Sequence, residues 1–169
     1  MCMYTLPRVI LITGTPGVGK TSVSHSLMEK HFSVISLNDF IISNGIYYGY
    51  DFTRDSVIID DEYLEIIIKD SIKNLQDTVF IEGHTTELLP QDIVTDIIVL
   101  RCNPSVLRKR LSSRDYSSEK IAENIHAEIM EECKISMINK YPDMKIIEID
   151  STSLSIEDIT NTIISKLFK

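Results

Sequence analysis

The stretch Gly14-Thr-Pro-Gly-Val-Gly-Lys-Thr21, GTPGVGKT, follows the apolar run Val9-Ile-Leu-Ile12 with only Thr13 between. Three glycines, a lysine and a terminal hydroxyl in eight residues fit the pattern G-x-x-x-x-G-K-[ST]. The apolar run reads as a short buried strand, and the residues after Gly19 read as a helix. Gly14, Gly17 and Gly19 permit backbone conformations closed to other residues, so that loop amides can converge on one point. That concavity, with the positive end of the following helix, forms an anion site. Lys20 adds a charge for outer phosphates, and Thr21 offers a hydroxyl to Mg²⁺. Gly14, Pro16, Gly17, Val18, Gly19, Lys20, Thr21 and Ser22 are therefore the expected binding loop for a nucleoside triphosphate such as ATP.

The alternation around this loop sets the fold class. Short Ile- and Val-rich runs at Arg8–Thr13, Ser33–Leu37, Thr78–Ile81, Asp96–Arg101 and Lys145–Asp150 read as strands buried on both faces. Helices are expected at 19–31, 38–44, 60–75, 104–114, 118–140 and 155–167. In 60–75, Tyr63, Leu64, Ile67, Ile68 and Ile72 form the apolar stripe. Pro104 suits a first turn, and Ser155 is an N-cap candidate followed by acidic Glu157 and Asp158. Gly45–Arg54 reads as irregular. The expectation is an α/β fold: a five-stranded parallel sheet with helices on both faces. One domain spans 1–169, with an acceptor-binding segment at about 38–61 and a short lid at about 112–120.

The totals exclude several classes. A length of 169 residues suits one domain. No apolar run approaches the roughly 18 residues of a membrane span, and the N-terminus lacks a secretory pattern. The three cysteines, Cys2, Cys102 and Cys133, read as free thiols in a reducing, cytoplasmic setting. Net charge is −8, which argues against indiscriminate nucleic-acid or membrane binding. Residues 101–120 hold six basic and two acidic residues, a local +4, so the rest carries −12. That segment is either a confined anion site or an exposed basic helix face.

A GTPase would carry N-K-x-D after a later strand. The nearest string, Asn139-Lys-Tyr-Pro142, has proline in place of aspartate and ends a predicted helix. A small kinase needs a carboxylate near the metal, cations for the transferring phosphoryl, and an acceptor pocket. Thr78-Val-Phe-Ile-Glu-Gly-His84 delivers Glu82 to the ligand end of the sheet, where it could hold Mg²⁺ through water. His84 follows two residues on; a solvated Glu-Gly-His turn is the alternative. Arg110 and Arg114, four apart on one predicted helix, share a face and supply planar forks suited to phosphate. Arg101, ending a strand, is either another cation or a structural residue. The segment 38–61 offers Asp39, Tyr47, Tyr48, Tyr50, Arg54, Asp60 and Asp61. Its tyrosines either stack on a base or pack an irregular loop. The backbone of Ile149-Asp-Ser-Thr-Ser153 either edges a purine or makes a helix-capping turn.

These strings together resemble the adenylate kinase isoenzyme 6 family. The resemblance runs through GTPGVGKTS, IYYGYD at Ile46–Asp51, VIIDDEYL at Val57–Leu64, VFIEGH at Val79–His84, and IIVLRCNPSVLRKRLSSRDYSSEKIAENIHAEI from Ile97 to Ile129. The last string, with R-L-x-x-R, is the most specific. The resemblance implies a P-loop NTPase fold of the nucleoside monophosphate kinase type. It implies that Gly17, Gly19, Lys20, Thr21 and Ser22 bind nucleotide, that Glu82 and His84 stand at the family's D-x-H element, and that Arg110 and Arg114 are lid arginines. It further implies adenylate kinase activity with weak ATPase activity. The implied partners are a small-subunit ribosomal protein and the pre-ribosomal particle, and eukaryotic members are nuclear. Two positions depart from the pattern. Glu82 replaces the usual aspartate, and Ile42 stands where an arginine for the acceptor phosphate is common. Three functions follow as expectations: an adenylate kinase, a nucleotide-driven assembly factor, and a kinase for another small acceptor.

Overall fold

The computed structural model describes residues 7–52, 56–75 and 77–168. Five strands form a parallel sheet: β1 (Val9–Thr13), β2 (Ser33–Ser36), β5 (Val79–Glu82), β6 (Asp96–Arg101) and β7 (Ile146–Asp150). Their order is β2-β5-β1-β6-β7. Two short strands, β3 (Tyr47–Asp51) and β4 (Ser56–Ile59), pair antiparallel with a register irregularity between Tyr47 and Gly49. Seven α-helices occur among the described residues: α1 (Lys20–Glu29), α2 (Leu37–Ser43), α3 (Asp61–Ile72), α4 (Pro104–Ser112), α5 (Ser118–Ile129), α6 (Glu132–Lys140) and α7 (Ile156–Leu167).

Alternation along the strands makes two cores. Val9 and Leu11 face one side of β1, with Leu64, Ile68 and Ile72 of α3, Ile41 of α2 and Met137 of α6. Ile10 and Ile12 face the other, with Val23 and Leu27 of α1, Leu107 and Leu111 of α4, Ile125 of α5, and Ile159 and Ile163 of α7. The expected sheet and its two helical layers are therefore present. The direction in which successive strands are added reverses about β1: β2 and β5 lie to one side of it, β6 and β7 to the other. Ligands in such sheets bind beyond the strands' C-terminal ends at that switch.

Three local expectations differ. The segment 45–54, read as irregular, contains β3, because Tyr, Val and Ile pair across the ribbon and favour a pleated surface. The helix expected over 104–114 stops at Ser112. The Ser112 and Ser113 hydroxyls donate to the carbonyls of Arg108 and Arg110, both at 2.8 Å, and compete with further helical bonding. Arg114 thus lies beyond the helix, not on it. The single helix expected over 118–140 is two, separated at Glu131, whose φ is 55°. Arg101 and Lys134 hold the Glu131 carboxylate there, at 2.7 and 3.3 Å.

Candidate active site

Gly14, Gly17 and Gly19 have φ of 143°, 94° and 111°, values that other residues rarely adopt. A Cβ on Gly14 would lie 2.4 Å from the Leu100 carbonyl oxygen. The loop therefore runs against the end of β6, where only glycine fits. Gly19 occupies the N-cap of α1 and supplies no capping side chain. The first-turn amides are left for an anion. Lys20 is 9% exposed. Its Nζ donates to the carbonyls of Gly14, at 2.6 Å, and Thr15, at 3.2 Å. Burial pulls its pKa below the ordinary lysine value, opposed by Cys133 and Glu82 and assisted by the Arg114 charge. Thr21 and Ser22 are exposed at the start of α1.

Glu82 ends β5, level with Ile12 on one side and Ser36 on the other. It is 7% exposed. Burial raises its pKa, against the Lys20 charge and a hydrogen bond with Ser36; Asp39 adds to the rise and His25 opposes it. His84 is exposed to water at the rim, yet the surrounding protein lowers its pKa by desolvation, with the charges of Lys20 and Lys120 adding. Lys20 is thus an electrostatic neighbour of both Glu82 and His84, about sixty residues further along the chain.

The two arginines expected in a lid take different places. Arg110 Nη2 donates to the Ser151 carbonyl at 2.8 Å and the Thr152 carbonyl at 3.4 Å. Its Nη1 reaches Val18 O at 3.4 Å and Ser151 Oγ at 3.3 Å. The Ser151 hydroxyl also donates to Val18 O at 2.7 Å. Arg110 therefore braces the phosphate loop against the turn after β7. The Arg114 side chain is exposed and its guanidinium makes no hydrogen bond or ion pair among the described residues; its backbone bonds to Leu111 and Tyr116. In the acceptor segment, α2 leads into the β3–β4 ribbon. Tyr48 is 74% exposed and Ile42 50%. Asp60 caps α3, accepting from Tyr63 N at 3.0 Å. Arg54 lies outside the described residues.

One buried carboxylate was missed at the sequence level. Glu128, 2% exposed, accepts from Thr15 Oγ1 at 2.5 Å, Arg101 Nε at 2.8 Å and Cys102 N at 2.9 Å. The signal was present: Ile121, Ile125 and Glu128 recur at helical spacing, so an acid stands on an apolar stripe.

A phosphate loop at a switch point, with a buried lysine and a carboxylate level with it, defines a P-loop phosphotransferase of the nucleoside monophosphate kinase type. Residues 10–131 match the family described as AAA domain. The chain is 38% identical to a Methanococcus maripaludis protein named "Putative adenylate kinase", over 92% of this chain and 86% of that one. It is 39% identical to a Methanocaldococcus jannaschii protein of the same name, over 94% and 85%. The protein belongs to this adenylate kinase family. A shikimate kinase structure from Bacteroides thetaiotaomicron shares the fold, with TM-score 0.60 and 15% identity, covering 95% of this chain and 98% of that one. A gluconokinase from Sinorhizobium meliloti has TM-score 0.52, with 15% identity, covering 95% and 91%.

Proposed function

We propose that the protein transfers the γ-phosphoryl group of ATP to AMP, giving two ADP. The observation that supports this most is the pairing of Lys20, held over an uncapped helix N-terminus, with the buried Glu82 one strand away. The names of its archaeal relatives point to the same acceptor. Gly14, Pro16, Gly17, Val18, Gly19, Lys20, Thr21 and Ser22 would wrap the phosphates. Arg110 would secure the loop beside the base, since its partners are the Ser151 and Thr152 backbone. Arg114, unengaged among the described residues, would neutralise the transferring phosphoryl.

The donor set suits Mg²⁺. The Thr21 hydroxyl is exposed and the Glu82 carboxylate is desolvated, both hard oxygen donors. Among the described residues no cluster of three His, Cys, Asp or Glu could cage a metal. Mg²⁺ bound by few protein groups and by substrate phosphates needs none. Thr21 would ligate it directly and Glu82 through water. Held there, the ion would supply positive charge against the phosphates.

Ile42 favours a second reading, a different acceptor. It is half exposed on α2, and an isoleucine cannot pair with an acceptor phosphate. ATPase activity through His84, and a role with a small-subunit ribosomal protein in maturation of the pre-ribosomal particle, rest on the sequence resemblance alone. The test measures ADP formation from ATP with no acceptor and with AMP, CMP, UMP or GMP. AMP should give the fastest transfer. ADP formation unchanged by any of the four would overturn the monophosphate kinase reading.

A further inference from the structure

We infer that Glu128 is a positioning residue for phosphoryl transfer: through the Thr15 hydroxyl it fixes the loop carbonyls on which the Lys20 ammonium rests. The inference rests on the kinase reading only in taking Lys20 as the group that meets the phosphates. Thr15 is the second residue of the phosphate loop and is 1% exposed. Its two polar ends do different things. The hydroxyl donates to Glu128 Oε2 at 2.5 Å, while the carbonyl accepts from Lys20 Nζ at 3.2 Å, beside Gly14 O at 2.6 Å.

Glu128 is in turn held rigidly. Arg101 Nε and the Cys102 amide converge on Oε1, leaving Oε2 for Thr15. Arg101 Nη2 also donates to the Glu128 carbonyl, at 3.0 Å. A carboxylate that only filled space here would gain little over an apolar side chain, because removing its charge from water is costly. This one joins three elements whose mutual position matters: the end of β6, the phosphate loop, and α5, which starts at Ser118 behind the lid. Glu128 lies ten residues into α5, about 15 Å along its axis. The same helix thus carries the lid at one end and clamps the loop at the other.

A lysine that acts as charge shifts must be placed before the transition state forms, so a small displacement lowers turnover more than nucleotide binding. The test compares Thr15→Val, which removes the hydroxyl at constant shape, with Thr15→Ser, which keeps it. Thr15→Val should lower kcat about ten-fold, the scale of one hydrogen bond to a charged group. The KM for ATP should change less than about three-fold and Thr15→Ser should stay within about two-fold of wild type. In a Lys20→Ala background, Thr15→Val should cost nothing further, because the effect passes through the lysine. Glu128→Gln should match Thr15→Val, and their combination should be no worse than either. If Glu128→Gln does not fold, the Thr15 pair decides. A lowered melting temperature with kcat unchanged, equal losses for Val and Ser, or a full further loss without Lys20 would each overturn the inference. Rates are compared on whichever ADP-forming reaction the wild type performs, hydrolysis included. A missing AMP dependence with the Thr15 pattern intact sinks only the acceptor assignment.

Discussion

Arg110 and Arg114 belong to one sequence motif, yet replacing each with alanine should give opposite signatures. Arg110 makes one strong bond, 2.8 Å to the Ser151 carbonyl, and three long ones of 3.3–3.4 Å to Ser151 Oγ, Val18 O and Thr152 O. A hydrogen bond from a charged donor is worth about 1.5–3 kcal/mol. The guanidinium is partly exposed, so solvent screening reduces this. Counting the short bond alone, Arg110→Ala should destabilise the fold by about 1–2 kcal/mol. For a chain of this size that lowers the melting temperature by roughly 2–8 °C. It should also raise the KM for ATP, because the turn after β7 and the phosphate loop lose their brace. Arg114 is exposed and outside α4, so Arg114→Ala should change stability by less than about 0.5 kcal/mol. On the proposed role its charge serves the transferring phosphoryl, and kcat should fall on the order of 10²–10³. Differential scanning calorimetry with steady-state ADP formation separates the two. The reasoning fails if Arg114→Ala raises only the KM for ATP, or if Arg110→Ala leaves both melting temperature and KM unchanged.

Three further outcomes are expected. Lys20→Ala should lose turnover by at least about 10² with its circular dichroism intact; near-normal activity in the purified variant would remove the phosphate-loop assignment. His84→Gly should suppress ATP hydrolysis more than AMP phosphorylation, since transfer needs no water to be positioned, whereas Glu82→Ala should damage both; equal losses of ADP and inorganic phosphate for His84→Gly would count against that division. Burial raises the Glu82 pKa, so the folded protein holds the proton longer than the unfolded chain, and stability falls as pH rises from the ordinary glutamate value through the raised one. Glu82→Gln should therefore abolish activity yet flatten that slope in urea titrations run in EDTA; an unchanged slope would show that Glu82 is not the group responsible.

Local chemistry made much of the fold legible. The β6 strand lies at the expected residues, Asp96–Arg101, because a continuous apolar run bounded by polar residues has few alternatives. Ser155 caps α7 as expected, accepting from Asp158 N at 3.1 Å. The stripe of α3 buries Leu64, Ile68 and Ile72, while Tyr63 stays 42% exposed at the helix start. The phosphate loop was readable because its motif encodes backbone conformation directly. Long-range pairing was not readable. Nothing in the spacing of Arg110 says that its guanidinium meets Ser151, 41 residues on. Nothing in Tyr-Tyr-Gly-Tyr says that it finds Val57 and Ile58. Glu128 was hidden for a related reason: an acid on an apolar stripe is ordinarily a boundary residue, and only the partners show that it is buried and satisfied.

The break at Glu131 follows from the same partners. Propensity favours a continuous helix over 118–140, with no glycine or proline inside it. Ile125 of α5, however, packs in the core shared with α1 and α7, while Met137 of α6 packs in the core on the opposite face of the sheet. A straight helix cannot reach both faces, so the chain must turn over the C-terminal edge of β6. The left-handed residue needed for that turn costs roughly 1–2 kcal/mol. It is offset where Arg101, the last residue of β6, donates to Glu131 Oε1 at 2.7 Å. The same guanidinium holds Glu128, which holds Thr15. The helix break and the clamp on the phosphate loop are therefore one arrangement built around Arg101. Arg101→Lys keeps the charge but loses the fork whose three nitrogens reach Glu128 Oε1, Glu131 Oε1 and the Glu128 carbonyl. It should lower stability more than Thr15→Val, which removes a single bond to Glu128, and it should lower turnover as well. A stable Arg101→Lys protein with wild-type kcat would show that the two features are independent.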